Sequence, residues 1–123
     1  MLHRSVRAAL PVLLFLSACV GPTAPDVEIC RDIIARVCAQ PVCSSVAVKL
    51  DLPAMDCETT LQARTTCADV AFTFTSPGRS RMLECRLPLV RESTTVGAKP
   101  SCENLDESIR NCPDLVRFLG GTP

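Results

Sequence analysis

The sequence predicts a small, mainly α-helical domain stapled by disulfides, with a short extended segment or hairpin near residues 70–87. Three observations carry this. Nine Cys stand among 123 residues, apolar residues recur at helical spacing in several short runs, and Pro, Ser and Gly punctuate those runs at helix-terminal positions. Large apolar surface is scarce, because the four aromatic residues are all Phe. A chain this short then needs covalent staples to hold its core.

The first element of the body begins at Asp26. Cys30, Ile33, Ile34, Val37 and Cys38 follow the i, i+3, i+4, i+7, i+8 template, with Asp26 and Glu28 in the first turn, where negative charge favours a helix. Pro41 is expected to end it. Residues 42–52 fit two templates: Val42, Cys43, Val46, Ala47 and Leu50 suit a helix, whereas Val48, Leu50 and Leu52 alternating with Lys49 and Asp51 suit a strand. Helix is the favoured of the two. Pro53 restarts the chain, and residues 54–67 read as a helix around Leu61 and Ala63, weakened by four Thr.

Val70-Ala71-Phe72-Thr73-Phe74-Thr75 alternates and reads as extended. Ser76-Pro77 then looks like a cap with Pro at the first helical position, opening a helix through Met82, Leu83, Cys85 and Leu87 that stops at Pro88. A hairpin turning at Pro77-Gly78 is the alternative. Residues 92–99 have no apolar period and read as an exposed loop. Ser101 caps the next helix, whose face carries Cys102, Leu105, Ile109 and Cys112. Pro113 opens a last short helix through Leu115, Val116, Phe118 and Leu119, closed by Gly120-Gly121.

Ahead of this body, Arg4 and Arg7 precede an uncharged apolar run over residues 8–16, followed by Ser17-Ala18-Cys19. Basic start, short apolar centre and small residues at the end are the parts of a secretory signal peptide. As a helix, residues 8–20 would span roughly 20 Å, short of the ~30 Å hydrocarbon core, so a membrane-spanning reading fails. Leu16-Ser17-Ala18-Cys19 also resembles the lipobox of bacterial lipoproteins. That resemblance implies cleavage before Cys19, a diacylglycerol on its sulfur and acylation of the new amino terminus, with palmitate-type chains. Two or more such chains make an effectively permanent anchor. In the sorting rule that comes with the resemblance, Val20 in place of Asp points to the outer membrane. Residues 1–18 are thus read as the signal peptide, 19–25 as the lipidated Cys with a short Pro-restricted tether, and 26–121 as one Cys-rich helical domain.

Removing Cys19 from nine cysteines leaves eight, the even number that full pairing requires. Cys30, Cys38, Cys43, Cys57, Cys67, Cys85, Cys102 and Cys112 are therefore expected to form disulfides in the oxidising compartment an exported chain reaches. Connectivity is open. Thiolate metal binding is the rival, but no Cys-x-x-Cys occurs, so the sequence assigns neither a metal nor a cofactor. Cys57 to Cys67 and Cys102 to Cys112 each enclose nine residues, and this twin spacing resembles the coiled-coil-helix family. The resemblance implies two antiparallel helices with Cys57 meeting Cys112 and Cys67 meeting Cys102.

No catalytic residue is assigned. The one His is His3, inside the signal peptide, so the exported body lacks the usual general base near neutral pH. Glu103, Asp106 and Glu107 are the carboxylates a hydrolase-like enzyme would use, though their place early in a helix is explained by the helix dipole. Thirteen basic residues balance thirteen acidic ones, which excludes the basic excess of a nucleic-acid-binding domain. Arg79, Arg81, Arg86 and Arg91 cluster within thirteen residues and read as a solvated face partly paired with Glu103, Asp106, Glu107 and Asp114; the sharper alternative is a patch for anionic headgroups or cell-wall polymer. The expected partners are the membrane, through the lipid, and an unidentified envelope protein.

Overall fold

The computed structural model describes residues 20–39 and 43–121. Six helices follow in order: α1 Asp26–Cys38, α2 Ser44–Leu50, α3 Cys57–Thr65, α4 Arg79–Val90, α5 Cys102–Asn111 and α6 Pro113–Leu119. No strand occurs among the described residues, and none of these helices is long and apolar enough to cross a membrane. Pairwise packing runs α1 on α4, α4 on α5, α5 on α6, α6 on α3 and α3 back on α1, with α2 laid against α5 and α6. This closed ring encloses Ile29, Ile33, Leu61, Met82, Leu105 and Leu115, all fully buried.

The helix in 42–52 forms as the favoured template has it, and the hairpin alternative at 77–78 does not. Residues 70–75 carry no helix, and Phe74 stacks at 5.0 Å on Phe72 and at 5.8 Å on Phe118 of α6. Three of the four Phe thus pack together, with Phe74 inside the core and Phe72 and Phe118 half-buried against it. At α5 the expected cap is present: the Ser101 side chain accepts from the Asn104 amide at 3.1 Å. Two boundaries of α4 differ from expectation. Gly78, not Ser76, is its N-cap, and the helix continues through Pro88 to Val90. Pro88 removes one amide donor in the last turn, and burial of Leu89 against its neighbours outweighs that loss. Pro41 lies outside the described residues.

All eight body cysteines are paired: Cys30–Cys67, Cys38–Cys57, Cys43–Cys102 and Cys85–Cys112, with Cα separations of 6.2 Å for the first and 5.7 Å for the others. The expected Cys57–Cys112 and Cys67–Cys102 bridges are corrected by this. Antiparallel helices stapled at both ends do occur, but between α1 and α3. The reason lies in the helical repeat. Eight helical steps from Cys30 to Cys38 leave the two sulfurs of α1 about 80° apart around its axis, and α3 presents Cys57 at its start and Cys67 just past its end, so the two run antiparallel with a cysteine at each junction. Thr66, a β-branched residue at φ 67, ends α3 in the left-handed region. It is held there because the next residue, Cys67, is tied to Cys30 and donates its amide to Thr65 Oγ1 at 3.3 Å.

Candidate functional site

The expected lipidation residue, Cys19, lies outside the described residues. Its neighbour Val20 is buried, and the Val20 carbonyl accepts from Arg86 Nη2 at 2.7 Å. Two residues on, the Pro22 carbonyl accepts from Arg79 Nη2, while Arg79 Nη1 also donates to Asp26 Oδ1. Ala24 donates back to the Gly21 carbonyl at 3.0 Å, closing a turn. The stretch read from the sequence as a short tether is therefore bonded to the body at two arginines.

Beneath Val20 sits the most polar part of the interior. Asp32, only 1% exposed, accepts on Oδ2 from Arg36 Nε at 2.8 Å and from Arg86 Nε and Nη2 at 3.0 and 2.8 Å. Its other oxygen accepts from the Gly97 amide at 2.7 Å. Arg36, 0% exposed, sends Nη1 to the carbonyls of Leu89 at 2.9 Å and Ser93 at 2.7 Å, and Nη2 to Thr95 at 2.7 Å. Two guanidiniums thus face one carboxylate, and the surplus positive charge is spread over backbone carbonyls. No buried side-chain nitrogen or oxygen among the described residues lacks a partner. Gly97 is needed where it stands, because its φ of +65 suits glycine and an added Cβ would come within 3.3 Å of the Ala35 Cβ. Residues 92–99 form the expected loop, with Glu92, Thr94, Thr95, Val96 and Lys99 exposed, and its backbone closes the cluster from above.

The four clustered arginines are all engaged, and the basic face divides. Arg86 is buried on Asp32, Arg79 holds Asp26, Arg81 Nε meets Asp114 at 2.8 Å and Arg91 Nη1 meets Glu107 at 2.6 Å. Of the three α5 carboxylates, Asp106 is shared between Lys49 at 3.3 Å and Arg110 at 3.5 Å, Glu107 is taken by Arg91, and Glu103 is exposed. Cys85, Cys112 and Asp114 bring donor atoms within 4.8 Å of one another. The two sulfurs are in one disulfide, however, and the carboxylate is held by Arg81, so this trio offers no thiolate.

These pairs set the acid response. Arg91 donates to Glu107 and holds its carboxyl below the ordinary 4.5, and Arg81 does the same for Asp114 against 3.8. Burial pushes Asp26 up, but the Phe74 amide and Arg79 outweigh it, so that group also lies below 3.8. A carboxyl depressed on folding adds stability above its unfolded value and loses it as pH falls through the folded one. The melting temperature should accordingly stay level down to about pH 5 and drop below about pH 4, with a shallower drop in Arg81→Gln and Arg91→Gln. A thermal melt series that stays flat through pH 3 would show these pairs to be energetically idle.

No known family, curated protein or solved structure matches the chain.

Sequence reasoning missed Asp32 and Arg36 as a buried pair and placed Arg86 on a solvated face. A signal existed for Arg86. It lies four residues after Met82 and three before Leu89, in the middle of the stripe that faces the core.

Proposed function

We propose that this chain is a bacterial lipoprotein acylated at Cys19 and held at the outer membrane, its disulfide-stapled body serving as a non-enzymatic binding or structural module for another envelope protein. The observation that carries this reading is the Leu16-Ser17-Ala18-Cys19 segment at the end of a short apolar run. Cysteine parity supports it. The eight cysteines of the body satisfy one another in four bridges, so none of them is left to take the ninth. The body itself suits a scaffold: Asp106 and Glu107 of α5 are paired with Lys49, Arg110 and Arg91, and its eight body cysteines are in disulfides.

Intact mass measurement of the cell-derived protein tests the reading. The expected product starts at Cys19, carries a diacylglyceryl group and a further acyl chain, and shows no free thiol when denatured without reductant. An unmodified start at another residue, or a bridge that includes Cys19, would overturn it.

A further inference from the structure

We infer that the body lies on the bilayer through one chosen face, the apolar stripe of α4 on which exposed Leu87 is flanked by half-buried Leu83 and Val90, together with exposed Pro22. The inference rests on the lipoprotein reading and adds to it the surface that meets the lipid. Its starting point is the distance available. Cys19 is covalently joined to Val20, whose Cα can lie only ~3.8 Å away, and Val20 is fixed to the body by Arg86. With no slack between anchor and domain, the surface around Val20 must approach the leaflet that holds the acyl chains.

Two grooves meet at Val20, and their chemistry decides between them. One, of about 490 Å³, runs between α1 and α3 and is lined by Glu28, Arg31, Glu58 and Gln62. Pressing it against hydrocarbon would strip water from charged groups. The other, of about 340 Å³, is walled mainly by Val20, Pro22, Leu83, Leu87 and Val90; its one charged member, Arg86, is already buried on Asp32, and Thr94 adds a single neutral hydroxyl. Leu83, Leu87 and Val90 stand at i, i+4 and i+7, on one side of α4. Leu87 is 62% exposed on a helix whose Met82 and Leu89 are buried and whose Leu83 and Val90 are half-buried, so it is the one large apolar side chain of α4 left in water. A patch of this size would not hold a free protein on a membrane. Behind a permanent anchor it needs only to orient the body, because the acyl chains have already brought it to the surface at high effective concentration.

The absence of Trp from the chain gives a direct test. Leu87→Trp places a lone indole on the stripe, and Val48→Trp places one on α2 at a site 82% exposed. Both full-length lipidated variants, with acylation verified by mass, are reconstituted into phosphatidylethanolamine and phosphatidylglycerol vesicles with or without brominated acyl chains. Leu87→Trp should show blue-shifted emission and about two-fold or stronger quenching by the brominated lipid, while Val48→Trp keeps the emission of water and is not quenched. Matching melting temperatures for the two variants establish that the fold is kept. Equal quenching of both, or of neither, in acylated protein would overturn the chosen face and leave the lipoprotein reading standing. A product without acyl chains would overturn both.

Discussion

Asp32→Asn should cost about 3 to 5 kcal/mol of stability, the loss expected when one member of a buried ion cluster is neutralised and its partners stay charged. Asn keeps the size of the side chain and one acceptor oxygen, so packing changes little. What changes is the charge balance: Arg36 and Arg86, 0% and 5% exposed, are left facing each other with no anion between them. Their remaining partners are the carbonyls of Val20, Leu89, Ser93, Thr95 and Ala98, which carry only partial charge. Against a total of about 5 to 15 kcal/mol for a domain, this is a large fraction. It should appear as a fall in melting temperature of roughly 10 °C or more. Local consequences should precede global unfolding. The Gly97 amide, deprived of a carboxylate, and the backbone of residues 92–99 should exchange hydrogen faster than the helices do. A loss under about 1 kcal/mol would mean that water reaches the cluster and screens it, as at an exposed pair.

The same cluster shows where the sequence could be read and where it could not. Helices α1 and α5 were legible because their patterns are local: an apolar stripe with acidic residues ahead of it, or a Ser cap followed by a stripe. Helix α2 was ambiguous because seven residues hold too few repeats to separate a period of 3.6 from one of 2. The extension of α4 past Pro88 was hidden because tertiary packing supplied what the local chain lacked. Asp32 and Arg36 are spaced i, i+4, the same pattern an exposed pair would show. Only the arrival of Arg86 from α4 and of the loop from residues 92–99 makes the pair buried, and both contacts are distant in sequence. Disulfide connectivity fails to be legible for a related reason. The angular offset of cysteines on a helix says which face they share but not which helix comes to meet it. Chemistry is legible where it is written in short motifs, and the Leu16-Ser17-Ala18-Cys19 segment proposed as a lipobox is such a motif, whereas the apolar stripe beside Val20 depends on a fold that brings residues 20–22 onto α4.

Removing the bridges one at a time should rank them by burial more than by loop length. Chain entropy alone assigns about 4 kcal/mol to the bridges spanning 37 and 59 residues, Cys30–Cys67 and Cys43–Cys102, and about 3 kcal/mol to Cys38–Cys57, which spans 19. The difference between 37 and 59 residues is only ~0.4 kcal/mol, because closure entropy grows with the logarithm of length. Burial separates these two by more. Cys30 and Cys67 are both 0% exposed, so replacing each with Ala also empties space inside the ring, at a cost on the order of 1 kcal/mol per missing sulfur. Cys43 is buried too, but Cys102 is exposed, so losing this bridge empties space at one end only. Paired Ala substitutions should therefore be most damaging at Cys30–Cys67, intermediate at Cys43–Cys102 and least at the half-buried Cys38–Cys57. Denaturant unfolding without reductant measures all three on one scale. Should the Cys38–Cys57 variant lose as much as the Cys30–Cys67 variant, the stability of the α1–α3 pair would lie in the helix ends rather than in its buried middle, and the ring of helices would have to be held together by something other than its sealed core.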